Sequence, residues 1–189
     1  MVPTMVTRTD FNRYMMPTYK PANFIPSKAK GSIVWDKKNK KYIDFASGIA
    51  VSSLGHCHPI LNKALVDQSK KIWHLSNLLV NEPAMRLAKI FCKHTFAEKV
   101  FFANSGAEAV EGAIKTARKH AYENISKKKN EIVSFSDAFH GRTMMAIALN
   151  GSDRFVKGFG PMPSGIKNHP FNETKNLEKV ITKNTAAVI

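Results

Sequence analysis

From residue 99 onward, short apolar runs alternate with stretches of helical spacing, and this alternation narrows the possible folds more than any other feature of the chain. "KVFFAN" reads as a buried strand, since it is short, apolar and aromatic. After it, Val110, Ala113, Ile114, Ala117 and Ala121 recur on one helical face, while Glu111 and Lys115 stand at i,i+4 on another. "EIVSFS" (131–136) is a second buried run, and "GRTMMAIALNG" reads as a short helix. A strand over 166–171, a helix over 173–182 and a further strand beginning at "TAAVI" complete the pattern. Strands separated by helices pair in parallel, so the class is α/β, with a mostly parallel sheet flanked by helices.

The first part of the chain is patterned differently. Residues 1–30 are Pro-rich and irregular apart from a short helix near 10–15. "GSIVWDKKNKKYIDFA" (31–46) reads as two strands around a Lys-rich turn with Asn39 at its centre. "SGIAVSSLGHCHP" reads as loop. A helix follows from Pro59, with Leu61, Ala64, Leu65 and Ile72 on one face. Another starts after Asn81, a suitable N-cap, with Ala84, Leu87, Ala88 and Phe91 at helical spacing. Two parts are therefore expected: 1–55, an antiparallel piece, and 56–189, the first part of a larger domain. The sequence stops at Ile189 inside an apolar run, and an open parallel sheet needs more strands than the three or four counted. The expectation is the front part of a longer protein.

Composition removes several function classes. The 189 residues are 43% hydrophobic and 23% charged, as in a soluble globular protein. No apolar run reaches the roughly 20 residues of a membrane span. The N-terminal "MVPTMVTRTDFNRYMMPTYKP" lacks the apolar core of a signal peptide, so a cytoplasmic location is the default. Cys57 and Cys92 form no CxxC pair, and "GHCHP" offers adjacent residues that chelate one metal poorly; neither a metal site nor a disulfide is expected. Net charge is +15. The runs "DKKNKK" and "SKKKNE" sit at turns and are not interleaved with aromatics, so no nucleic-acid partner is expected. A non-catalytic basic binding module remains the alternative of a different class.

Two loops invite a ligand. Ser105 and Glu108 fit a capping box, S-x-x-E. Gly106 weakens a helix start without structural gain, whereas bare amides at a helix N-terminus favour an anion. Both readings of Ser105, Gly106 and Ala107 stay open on local grounds. In "SDAFHGRT" (136–143), Phe139 either fills a core or stacks on a flat ring. Arg142 is either a surface charge or a planar fork for a carboxylate. Loops at the carboxyl ends of parallel strands are where α/β folds hold ligands.

The set "DFASGIAVSSLGHCHP", "WHLSNLLVNEPAMRLA", "FFANSGAEAVEGAIKTARK", "AFHGRT" and "GFGP" resembles class III, fold-type I aminotransferases that use pyridoxal 5'-phosphate (PLP), and within them the acetylornithine and succinylornithine branch. The resemblance runs from about Tyr19 to Ile189. It implies that Gly106 and Ala107 give backbone N–H groups to the PLP phosphate with Ser105 helping, that Phe139 stacks on the pyridine ring, and that Arg142 grips the α-carboxylate of the amino-acid substrate. Many members read Ser-Gly-Thr where this chain has Ser105-Gly106-Ala107, so a hydroxyl contact is lost and the backbone contacts remain. The resemblance also implies a homodimer when full length, with Asn77 and its loop approaching the partner's site, and no nucleic-acid or membrane partner. It puts the Schiff-base lysine and the aspartate on the pyridine nitrogen beyond residue 189, so no catalytic residue is assigned here. Ornithine, 4-aminobutyrate and other ω-amino acid transaminases of the same class remain alternatives for the substrate.

Overall fold

The computed structural model describes residues 6–189 and divides the chain into two compact units, Met1–Val80 and Asn81–Ile189. The elements in order are α1 (Arg8–Tyr14), β1 (Pro26–Lys30), β2 (Ile33–Asp36), β3 (Lys41–Ile43), α2 (Ser47–Ala50), α3 (Pro59–Ser69), α4 (Glu82–His94), α5 (Gly106–Asn124), β4 (Glu131–Phe135), α6 (Met144–Asn150), α7 (Asp153–Val156), β5 (Ile166–His169), α8 (Leu177–Val180) and β6 (Thr185–Val188).

In the first unit β1, β2 and β3 form an antiparallel sheet in that order. The Lys-rich turn between β2 and β3 is organised by buried Asp36. Its Oδ1 accepts the amides of Lys38 and Lys40 at 2.8 and 2.9 Å, and its Oδ2 accepts the Tyr42 hydroxyl at 3.1 Å. Asn39 takes the left-handed conformation such a tight turn needs (φ 62°). β1 escapes the hydrophobic pattern because "PSKAK" is polar. It is held by its pairing with β2 and by the Ser27 hydroxyl on the carbonyls of Trp35 and Asp36. "GHCHP" is a turn before a helix, as expected: His56 bridges to Gly31 and bonds Asp44 at 2.7 Å, and Pro59 opens α3. The stretch read as loop contains the short turn α2, with Gly48 and Ile49 left-handed.

In the second unit β4 lies between β5 and β6, and all three are parallel. Ile132 of β4 faces Ile166 and Ala187 across the sheet. Ile132, Ile114 of α5 and Leu149 of α6 form the buried centre, with Val110, Ala117, Met145 and Ile166 around it. Full burial of a leucine or isoleucine side chain, as for these three central residues, contributes about 1.5–3 kcal/mol. A polar staple seats α6 on the sheet. Ser134 Oγ donates to the Leu149 carbonyl at 2.7 Å, and Asn168 Nδ2 reaches the same carbonyl at 2.9 Å and Ser134 Oγ at 2.8 Å. The last carbonyls of a helix have no partner within it, and here the sheet supplies one. α4 begins on Asn81, whose Oδ1 accepts the Ala84 amide at 3.1 Å.

Two expectations are corrected. "KVFFAN" is not a strand. No described residue pairs with it, and Phe101 is 78% exposed, because an apolar run becomes a strand only against a neighbour. The helix expected over 173–182 shrinks to Leu177–Val180, behind a left-handed Asn176.

Glu131 clasps the sheet. Its Oε2 accepts Lys167 Nζ at 2.7 Å and Thr182 Oγ1 at 2.9 Å. Lys167 first, then Thr182, hold the carboxyl below its ordinary value of 4.5. A depressed folded value means that this stabilisation is present above the ordinary value and is lost as pH falls through the folded one. Urea denaturation as a function of pH should therefore show a shallower acid loss in Glu131→Gln than in the wild type. Identical acid limbs would show that the clasp adds nothing.

Candidate functional site

The start of α5 is built by three side chains. Ser105, with extended backbone, is the N-cap, and its Oγ accepts the Glu108 amide at 3.2 Å. The Glu108 carboxylate does not return to the N-cap amide, as a capping box would have it. It accepts the Asn104 amide at 2.6 Å, one residue further upstream. Gly106 and Ala107 occupy the first two helical positions, whose amides have no intrahelical acceptor. No acceptor among the described residues takes either one.

Among the described residues nothing calls for a glycine at 106. Its φ is not left-handed, and a Cβ built on it meets no atom within 4 Å. A side chain there would instead stand in front of the helix end. Two bare amides, a hydroxyl and a missing Cβ together fit a phosphate group.

The second loop leaves the carboxyl end of β4, the middle strand. Ser136 N–H bonds the His169 carbonyl at 2.8 Å, and Asp137 (φ 63°) donates its amide to the Asn150 carbonyl at 3.0 Å. Asn150 Nδ2 returns to the Ala138 carbonyl at 2.5 Å, which fixes the loop to the end of α6. Phe139 is 75% exposed, so it does not fill the core. Arg142 is also exposed, and its guanidinium carbon lies 6.0 Å from the Phe139 ring centre. His140 is half-buried, and desolvation pushes its imidazole below its ordinary 6.5.

The two loops meet. A Cβ built on Gly141 (φ 122°) would lie 2.9 Å from Ala107 Cβ and 3.2 Å from Ala107 Cα. Only glycine allows this approach, for reasons of both backbone angle and space. The structure thus brings the loop of Phe139 and Arg142 against the helix end of Ser105, Gly106 and Ala107. It does so without a strand before Ser105. Sequence reasoning missed Thr143 and Glu111: Thr143 Oγ1 donates to Glu111 Oε1 at 2.6 Å. Glu111 stands one helical turn after Ala107, and that spacing was the one available signal. Among the described residues no His, Cys, Asp or Glu cluster could hold a metal, and both cysteines are free. No helix of the described residues is long and apolar enough to cross a membrane.

A parallel sheet with an anion-ready helix end and an arginine loop beside it is the frame of a PLP-type transferase, and the chain belongs to the aminotransferase class-III family, which matches residues 14–189. Class III aminotransferases are PLP-dependent. The chain is 50% identical over 186 residues to the acetylornithine/succinyldiaminopimelate aminotransferase of Buchnera aphidicola subsp. Acyrthosiphon pisum, covering 98% of this chain and 46% of that protein. It is 49% identical over 193 residues to the succinylornithine transaminase of Yersinia pseudotuberculosis, covering 99% and 47%. The ornithine aminotransferase of Toxoplasma gondii, solved with partial occupancy of PLP at its active site, superposes with a TM-score of 0.88 at 29% identity, covering 95% of this chain and 43% of that one. The chain spans about half the length of the curated relatives it matches.

Gly141→Ala should drive a methyl into Ala107 and lower stability by about 1–3 kcal/mol, read as the urea midpoint. An unchanged midpoint would show that the loop is not held against α5.

Proposed function

We propose that the chain forms the cofactor-phosphate and substrate-carboxylate side of an aminotransferase that moves an amino group between N-acetylornithine and 2-oxoglutarate, in arginine biosynthesis. The observation that carries it is the approach of Gly141 to Ala107, which joins an anion-ready helix end to a loop bearing an exposed ring and a guanidinium. In this reading the amides of Gly106 and Ala107 hold the PLP phosphate. Ser105 keeps its hydroxyl proton for the same group while its oxygen caps the helix. Phe139 covers one face of the pyridine ring, and Arg142 binds the α-carboxylate of the amino acid through its planar fork. PLP, when bound, supplies the electron sink that makes the substrate Cα–H bond acidic. The lysine that carries PLP in this family is proposed to lie beyond residue 189.

The names of the relatives at about 50% identity support acetylornithine-type substrates. The full-length enzyme is proposed to be a cytoplasmic homodimer, with residues 1–55 in its small domain and 56–189 opening its large one. Exposed Leu78, Leu79, Phe96 and Phe101 support burial of these surfaces in a larger assembly. The fold shared with an ornithine aminotransferase favours ornithine as the second substrate reading.

Steady-state assays of the full-length enzyme on N-acetylornithine, ornithine and 4-aminobutyrate test the choice. N-acetylornithine should give the highest kcat/KM, and finding it the poorest substrate would overturn the assignment. Arg142→Ala should lower kcat/KM about 10- to 100-fold, mainly through the amino-acid KM, as expected for losing a charge-assisted hydrogen bond. The PLP absorbance should remain; its loss would reassign Arg142 to the cofactor.

A further inference from the structure

Arg142 stands between two anchor points on α5. On one side Gly141 rests on Ala107. On the other, Thr143 Oγ1 donates to Glu111 Oε1 at 2.6 Å. Ala107 and Glu111 are four residues apart, so they lie on one face of the helix, one turn above the other. Spacing alone would pair Glu111 with Lys115, but the structure gives its carboxylate to Thr143.

Thr143 uses one oxygen twice. It is the N-cap of α6, where Oγ1 accepts the Ala146 amide at 3.2 Å. Its single hydroxyl proton then points to Glu111. The cap fixes the lone pair, the clamp fixes the proton, and the backbone of Thr143 is set from both sides. Glu111 and Thr143 are half-buried, so water competes weakly for the bond.

We propose that Glu111 is a positioning residue for the Arg142 loop. Its carboxylate locks Thr143 and so holds the guanidinium in register with the first turn of α5. This inference rests on the role given to Arg142 above. Glu111 touches neither substrate nor cofactor in this scheme. It acts through Thr143, and the acceptor oxygen is what matters rather than the charge. A glutamine at 111 therefore serves, and an alanine does not. Substitutions at Glu111 leave the cap of α6 intact, which substitutions at Thr143 would not.

Two measurements on the full-length enzyme test this. Hydrogen–deuterium exchange of the 137–147 segment, in enzyme stripped of PLP, should quicken in Glu111→Ala and stay at the wild-type rate in Glu111→Gln. In the PLP-loaded enzyme, Glu111→Ala should raise the amino-acid KM about tenfold with kcat within about twofold, and Glu111→Gln should restore it. Unchanged exchange in Glu111→Ala overturns the proposal. So does a Glu111→Gln variant that exchanges as fast as Glu111→Ala, because the amide oxygen accepts the same bond. Faster exchange in Glu111→Ala with an unchanged KM upholds the clamp and overturns instead the carboxylate role of Arg142.

Discussion

The close approach of one backbone to another, Gly141 onto Ala107, is the contact on which the candidate site depends. It is short because neither partner carries more than a methyl group. A longer side chain at 141 would push the loop outward and carry Phe139 and Arg142 away from the helix end. The contact is also directional. Gly141 holds a φ of 122°, which lets the chain turn back toward α6 after passing Ala107. Sterics thus set how closely the loop approaches the first turn of α5, and the bond from Thr143 to Glu111 ties down the residue that follows Arg142.

Such a contact persists only if both elements are held from behind. α5 is held by Ile114 in the core beside Ile132 and Leu149. α6 is held by the same Leu149 and by the staple of Ser134 and Asn168 on its final carbonyls. Burying polar groups is unfavourable unless they are bonded, and here Ser134 and Asn168 satisfy each other and the helix end at once. The staple therefore fixes the end of α6, and Asn150 carries that order into the loop through the Ala138 carbonyl.

Much of the frame was legible because its causes are local. Asn81 and Ser105 mark helix starts by their own hydrogen bonds, and the Lys-rich turn is written in Asp36, Asn39 and Tyr42. β4 and β6 follow from apolar runs between helices, and β5, with one apolar residue in "IKNH", from its place in that alternation. β1 was not legible, since its polar residues are strand only by virtue of β2. "KVFFAN" failed in the opposite sense: its composition suits a strand, but pairing is a property of two segments. The resemblance supplied Ser105, Gly106, Ala107, Phe139 and Arg142, and the structure brings their two loops together. It could not supply the bond between Thr143 and Glu111, which joins distant parts of the sequence.

The glycines separate structure from ligand binding. Gly151 is demanded by the fold, since its φ is 69° and a Cβ there would overlap the Asn168 side chain. Gly141 is demanded by Ala107. Gly106 is demanded by nothing among the described residues, and a glycine at the start of a helix is costly in conformational entropy. An alanine there would keep the cap, fit the available space and strengthen the helix. On the proposed reading something outside the polypeptide comes close to those amides, and a phosphate suits two bare N–H donors at the positive end of a helix.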